Sequence, residues 1–181
     1  MEEKEQGQHS FAGFCRIVEQ LRSENGCPWD RAQTFESLRP CMVNEMTEAV
    51  AGIRIWQDTG DASNLCEELG DVLLQVVLLA QIAQEQGLFS IEDVVCGISQ
   101  KMIRRHPHVF GSSAGEVQAQ EVPGRWEEIK RAEKKNRTQE QEDRYTQAFL
   151  DASEWTARHL EQEKEKKLEK KYRKNTEQGK P

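Results

Sequence analysis

A chain of 181 residues suits one domain of ordinary size, yet 36% hydrophobic and 31% charged residues, with mean hydropathy −0.83, make it polar for a lone globule. Its formal charge of −7 speaks against the basic footprint of a general nucleic-acid binder. No apolar run reaches the roughly 18 to 20 residues that cross a bilayer, so a membrane partner is not expected.

Residues 1–10, "MEEKEQGQHS", form a polar, acidic segment, the opposite of a secretory signal. The five cysteines are scattered without Cys-x-x-Cys spacing, which reads as reduced thiols in a cytoplasmic protein and not as a zinc site. Helical periodicity dominates from there on, and the fold class read from it is all-α. Phe11, Phe14, Ile17, Val18 and Leu21 share one helical face, ending before the turn-rich "SENGCPWD" with Gly26 and Pro28. A second helix is expected from Thr34 or Ser37 to about Trp56, with Pro40 in its first turn.

"QDTGDASN" reads as a loop, with Asn64 and Glu67 in capping-box spacing for a third helix that runs to Gln86 and stops at Gly87. That helix is apolar nearly all round, so it should be covered on every side. Ser90 and Asp93 have the spacing to cap a fourth helix, carrying Ile91, Val94, Val95, Ile98 and Met102 and ended by Pro107 in "RRHPHVFG". "EVPGRWEEIKRAEKK" reads as a short amphipathic helix with Trp126 and Ile129. Residues 136–181 form a charged extension, in which Phe149, Leu150, Trp155 and Leu160 can dock. Beyond Leu160 the chain has eight basic and five acidic residues and reads as a fraying helix or disorder, a solubilising or partner-binding tail.

Two carboxylate pairs stand out. Glu45 and Glu48, and Glu68 and Asp71, are each three residues apart, so each pair can aim at one point from one helical face. The short connecting loop makes the two helices antiparallel neighbours, and the pairs can then face each other. None of these acids has a basic residue at i+4. Four facing carboxylates repel strongly, and a hard divalent ion with oxygen ligands, Mg²⁺ or Mn²⁺, removes the penalty.

The blocks "LRSENGCPWDRAQTFESL", "NEMTEAV", "EELGDVLLQVV", "KMIRRHPHVFG" and "RWEEIKRAEK" give residues 11–135 a resemblance to the MazG family of nucleoside triphosphate pyrophosphohydrolases. The resemblance implies a helical bundle completed by dimerisation, or by a higher homo-oligomer. It also implies Mg²⁺-dependent hydrolysis of a nucleoside triphosphate to the monophosphate and pyrophosphate. The family pattern E-E-x-x-E followed by E-x-x-D puts its metal ligands on Glu45, Glu48, Glu68 and Asp71. One position departs from it: Asn44 stands where the family has its first Glu, and an amide cannot take up a proton.

A triphosphate also needs positive charge around it. By resemblance Arg105 and Lys130 are the foremost phosphate contacts, with Lys101 and Arg104 beside them; solvated basic residues at a helix end are the alternative. The family places the "CPWD" loop near the nucleotide, where Trp29 either stacks on a base or anchors the loop. His106 and His108 read as turn-organising residues, Trp126 as packing, and Cys27 as structural. Two other functions share these residues: a nucleotide-binding or scaffolding module weakened by Asn44, and a narrower dUTP or dCTP housecleaning pyrophosphatase.

Overall fold

The computed structural model describes residues 9–111, 118–134 and 137–177, and the chain divides into two compact units, Met1–Ile91 and Glu92–Pro181. Every regular element among the described residues is helical.

In the first unit, α1 spans Phe11–Arg22 and is capped by the Ser10 hydroxyl, which accepts from the Gly13 amide at 3.1 Å. A single turn, α2, covers Pro28–Arg31 with Pro28 at its first position, where a missing N–H costs nothing. Helix α3, Phe35–Thr59, begins at Thr34 with a reciprocal box: the Thr34 hydroxyl accepts from the Ser37 amide and the Ser37 hydroxyl from the Thr34 amide. Because the helix starts at Phe35, Pro40 lies past the first turn and deprives the Glu36 carbonyl of its intrahelical donor. Gly60 closes α3 in the left-handed region, φ 77°.

Helix α4, Ser63–Glu85, packs along α3 and supplies most of the core. Val18, Leu38, Val77, Leu78 and Ile82 are buried together, with Phe14, Cys15, Leu74, Leu79 and Ile91 packed against them. Burying each such side chain stabilises the fold by about 1.5–3 kcal/mol. Two expectations need correcting here. The capping box from Asn64 and Glu67 does not form, because Asn64 is already inside the helix; Asp61 instead accepts from the Ser63 amide at 2.9 Å. Nor is α4 covered on every side within one chain, since Leu69 and Leu73 are 55% and 40% exposed.

Helix α5, Ile91–Arg105, starts on the last residue of the first unit; in the second unit α6 is the short Pro107–Phe110, α7 spans Val122–Lys134 and α8 runs Gln139–Glu177. Pro107 ends α5 as expected and opens α6. The charged extension, open between a fraying helix and disorder in the sequence, is helical through Glu177. Residues 178–181 lie outside the described residues. All five cysteines are free thiols. No described helix is long and apolar enough to cross a membrane.

Candidate active site

Glycine at position 52 sets how closely α3 and α4 approach. A Cβ there would lie 2.9 Å from the Leu65 Cα, 3.2 Å from its amide nitrogen and 3.3 Å from the Asn64 Oδ1. Ala49, 6% exposed, lies on the same helix one turn earlier. With Gly52 against Asn64 and Leu65, the antiparallel register puts Glu48 beside Glu68 one turn further along. The carboxylates follow that register: ligand atoms of Glu45, Glu48 and Glu68 all lie within 4.8 Å of one another. All three are partly buried. Asp71, one turn beyond Glu68 on α4, falls outside this group of mutually close oxygens.

Asn64 has a part in this geometry that its expected capping role did not foresee. Its amide donates to the Glu68 Oε1 at 3.0 Å, fixing one oxygen of a carboxylate whose neighbours are acids. A neutral donor orients the carboxylate without cancelling its charge, as outer-shell partners of metal ligands do. The all-oxygen donor set of the cluster suits a hard divalent cation. Asn44 is half-buried on α3, adjoining Glu45 in sequence.

Seven residues after Glu68 on the same face of α4, about 10 Å along the axis, α3 and α4 form one wall of an open groove of about 410 Å³. Leu38, Leu74 and Leu78 give it an apolar floor, and Trp29, 76% exposed, stands at its rim. Such exposure excludes Trp29 as a core anchor. Its loop is fixed instead by Arg22, whose side chain is only 6% exposed. The Arg22 guanidinium donates to the backbone carbonyls of Asp30 and Gln33, and through Nε and Nη2 to both oxygens of Glu85, at 2.8 and 2.7 Å. These bonds hold the Glu85 carboxyl below the usual carboxylate range, with burial opposing them. Gln33 adds a bond from its amide to the Trp29 carbonyl and accepts from the Ser37 hydroxyl. Nothing in the local pattern marks Arg22, because its ion-pair partner lies 63 residues away and its nearer acceptors are backbone carbonyls.

The basic residues belong to the second unit. Arg104 and Arg105 both donate to Glu133, at 2.7 and 2.5 Å, and Lys130 to Glu127 at 2.9 Å. Arg105, then Arg104, pull the Glu133 carboxyl down to about 2, and Glu133 in turn raises Arg105. Arg105 lies over the Trp126 ring, 5.1 Å from its centroid, and His106 meets that ring edge-on, so Trp126 packs as expected. His106 Nδ1 lies 2.6 Å from the Met102 carbonyl, a helix-end contact that fits the turn-organising role. Lys101 is exposed.

Residues 33–110 match the MazG nucleotide pyrophosphohydrolase domain. The chain carries a MazG domain. The match takes in Glu45, Glu48, Glu68, Asp71, Lys101, Arg104 and Arg105 and leaves Trp29 and Lys130 outside it. A Thermotoga maritima protein, the nucleoside triphosphate pyrophosphohydrolase/pyrophosphatase MazG, is 50% identical over 124 residues, covering 68% of this chain and 45% of its own length. The Escherichia coli nucleoside triphosphate pyrophosphohydrolase is 45% identical over 124 residues, with the same coverage of 68% and 45%. Bacillus subtilis YabN, an uncharacterised protein, is 49% identical over 129 residues, 70% of this chain and 25% of its own. The chain thus spans a quarter to about half the length of these relatives. Its fold is similar to the crystal structure of a mazG-related protein from Thermotoga maritima, with TM-score 0.51 and 27% identity over 64% of this chain and 97% of that one.

Proposed function

We propose that this chain hydrolyses nucleoside triphosphates to the monophosphate and pyrophosphate, using Mg²⁺, or Mn²⁺ in its place, bound by Glu45, Glu48 and Glu68 with Asp71 joining them. The observation that carries this reading is the convergence of three partly buried carboxylates from two helices within 4.8 Å, inside the stretch that matches the MazG domain. A divalent ion there supplies charge neutralisation and Lewis acidity toward the phosphates. The chain's own side chains do the rest. Asn64 orients Glu68, Gly52 sets the spacing of the acids, and Arg22 holds the Trp29 loop beside the groove. With the base over Trp29 and the phosphates at the acids, a nucleotide spans the seam of α3 and α4. Hydrolysis adds a water oxygen to phosphorus, breaks the bond to the leaving pyrophosphate, and needs an acceptor for the water's proton. Asn44 cannot be that acceptor, which leaves it to a carboxylate, with Glu67, next to Glu68 in the chain, as the candidate.

The proposal includes Arg105 and Lys130 as phosphate contacts, with Lys101 and Arg104 beside them, and a homodimer as the assembly. Met46, Val50 and Ile53 on α3 and Leu69 and Leu73 on α4 are all exposed, and an apolar stripe of that kind supports a second copy as its cover. Asn44 also favours a second reading, a nucleotide-binding module with weak catalysis. Incubation with canonical, deoxy and oxidised nucleoside triphosphates plus Mg²⁺, with identification of the products, separates the two. Release of pyrophosphate that is abolished in Glu68→Ala supports hydrolysis at the acidic cluster; binding without turnover supports the module; full activity in Glu68→Ala overturns the metal assignment.

A further inference from the structure

We infer that Gln75 reads the base edge of the bound nucleotide, its side-chain oxygen accepting a hydrogen bond from an N–H donor. The inference rests on the nucleotide reading above and extends it to base selection. Gln75 is 8% exposed and lies on a stretch of α4 that is otherwise apolar: Leu73, Leu74, Val76, Val77 and Leu78. Among the described residues its Oε1 is buried and has no hydrogen-bond partner. A buried carbonyl oxygen left without a donor is costly, and native proteins leave few of them. Leucine or methionine would fill the same position without that penalty, so the amide has no packing reason to be there.

Its surroundings say what would satisfy it. Gln75 lines the groove with Leu38, Leu74, Leu78 and the exposed Trp29. A flat heteroaromatic ring fits an aromatic rim and an apolar floor. A purely hydrocarbon ring would leave the oxygen unpaired, and a phosphate, itself an acceptor, would meet a second acceptor. A nucleobase with an amino or ring N–H group matches both the floor and the oxygen. The position agrees with this: Gln75 follows Glu68 by seven residues on one helical face, about 10 Å, a separation that a nucleoside and its phosphates can span.

The test compares ATP with purine riboside triphosphate, which lacks the 6-amino group and has no N–H donor on that edge. The wild-type chain with Mg²⁺ is expected to favour ATP by about fivefold to tenfold in kcat/KM, the size of one net hydrogen bond. In Gln75→Met, a substitution of similar volume, the ratio is expected to collapse to about one. A wild-type ratio of one, or a ratio unchanged in Gln75→Met, overturns the inference; the wild-type comparison needs no variant to fold. If neither nucleotide releases pyrophosphate, the wider panel of canonical, deoxy and oxidised triphosphates decides the hydrolysis reading on its own account. The Kd ratio of the same two nucleotides, read by calorimetry, then decides the role of Gln75 on the same terms.

Discussion

Replacing Gly52 by alanine places a methyl group where the Leu65 backbone already is. The new Cβ would sit 2.9 Å from the Leu65 Cα and 3.2 Å from its nitrogen, whereas carbon atoms settle at about 3.5–4.0 Å. The helices must therefore part by roughly 0.6–1 Å. Overpacking of this kind costs about 1–3 kcal/mol, and the better helix propensity of alanine returns about 0.5–1 kcal/mol. The net loss is at most about 2.5 kcal/mol, which lowers Tm by up to about 10 °C. The larger effect falls on the acids one turn away, because parting the helices widens the gap between Glu48 and Glu68. Mg²⁺ demands oxygen distances near 2.0–2.1 Å and tolerates little spread. The Mg²⁺ midpoint for pyrophosphate release is expected to rise about tenfold or more, with lower turnover at saturating Mg²⁺. Gly97→Ala, where a Cβ meets nothing within 4 Å, is the control, expected to leave the Mg²⁺ midpoint alone. If Gly52→Ala melts earlier yet keeps its Mg²⁺ midpoint and turnover, the approach of the helices does not set the spacing of the acids.

Three further outcomes follow from the same geometry. Arg22→Met removes the donors to Asp30, Gln33 and Glu85, and is expected to cost about 2–4 kcal/mol in denaturant unfolding and to raise KM more than it lowers kcat; an unchanged KM would free the Trp29 loop from Arg22. Asn44→Glu restores an acid beside Glu45 and is expected to raise kcat, and an equal or lower kcat removes position 44 from proton transfer. Glu133, held at about 2 by Arg105 and Arg104, has a folded value below its ordinary 4.5. Its contact therefore contributes stability above that ordinary value, and loses it as pH falls toward about 2. A carbon-detected titration of its carboxyl should show a midpoint near 2, and a midpoint at or above 4 would dissolve the Arg104–Arg105–Glu133 cluster.

What the sequence made legible was local or periodic. The start of α3 at Thr34 or Ser37, Gly87 past the end of α4 and Pro107 at the end of α5 follow from rules that act within a few residues, and the structure settles the first on Thr34 as the cap. The meeting of Glu45, Glu48 and Glu68 follows from a three-residue spacing on two helices joined by a short loop. Asn64 was misjudged because the same side chain can cap a helix start or reach a residue four further on, and only the true start at Ser63 decides between them. Helix α4 looked enclosed because periodicity counts apolar residues without saying what covers them, and Leu69 and Leu73 are bare in one chain. Arg22 carried no signal, since an ion pair spanning 63 residues is created by the fold. Gly52 did carry one: an isolated glycine inside a helical pattern points to close packing.

The seclusion of Arg22 bears on how the groove responds to ionic strength. Dissolved ions weaken the exposed pairs along α8, such as Lys164 with Glu161, whose side chains are 63% and 62% exposed. They reach a guanidinium that is 6% exposed far less, and two of its partners are neutral carbonyls with no charge to screen. The tail helix should therefore loosen in concentrated brine while the tryptophan loop keeps its place.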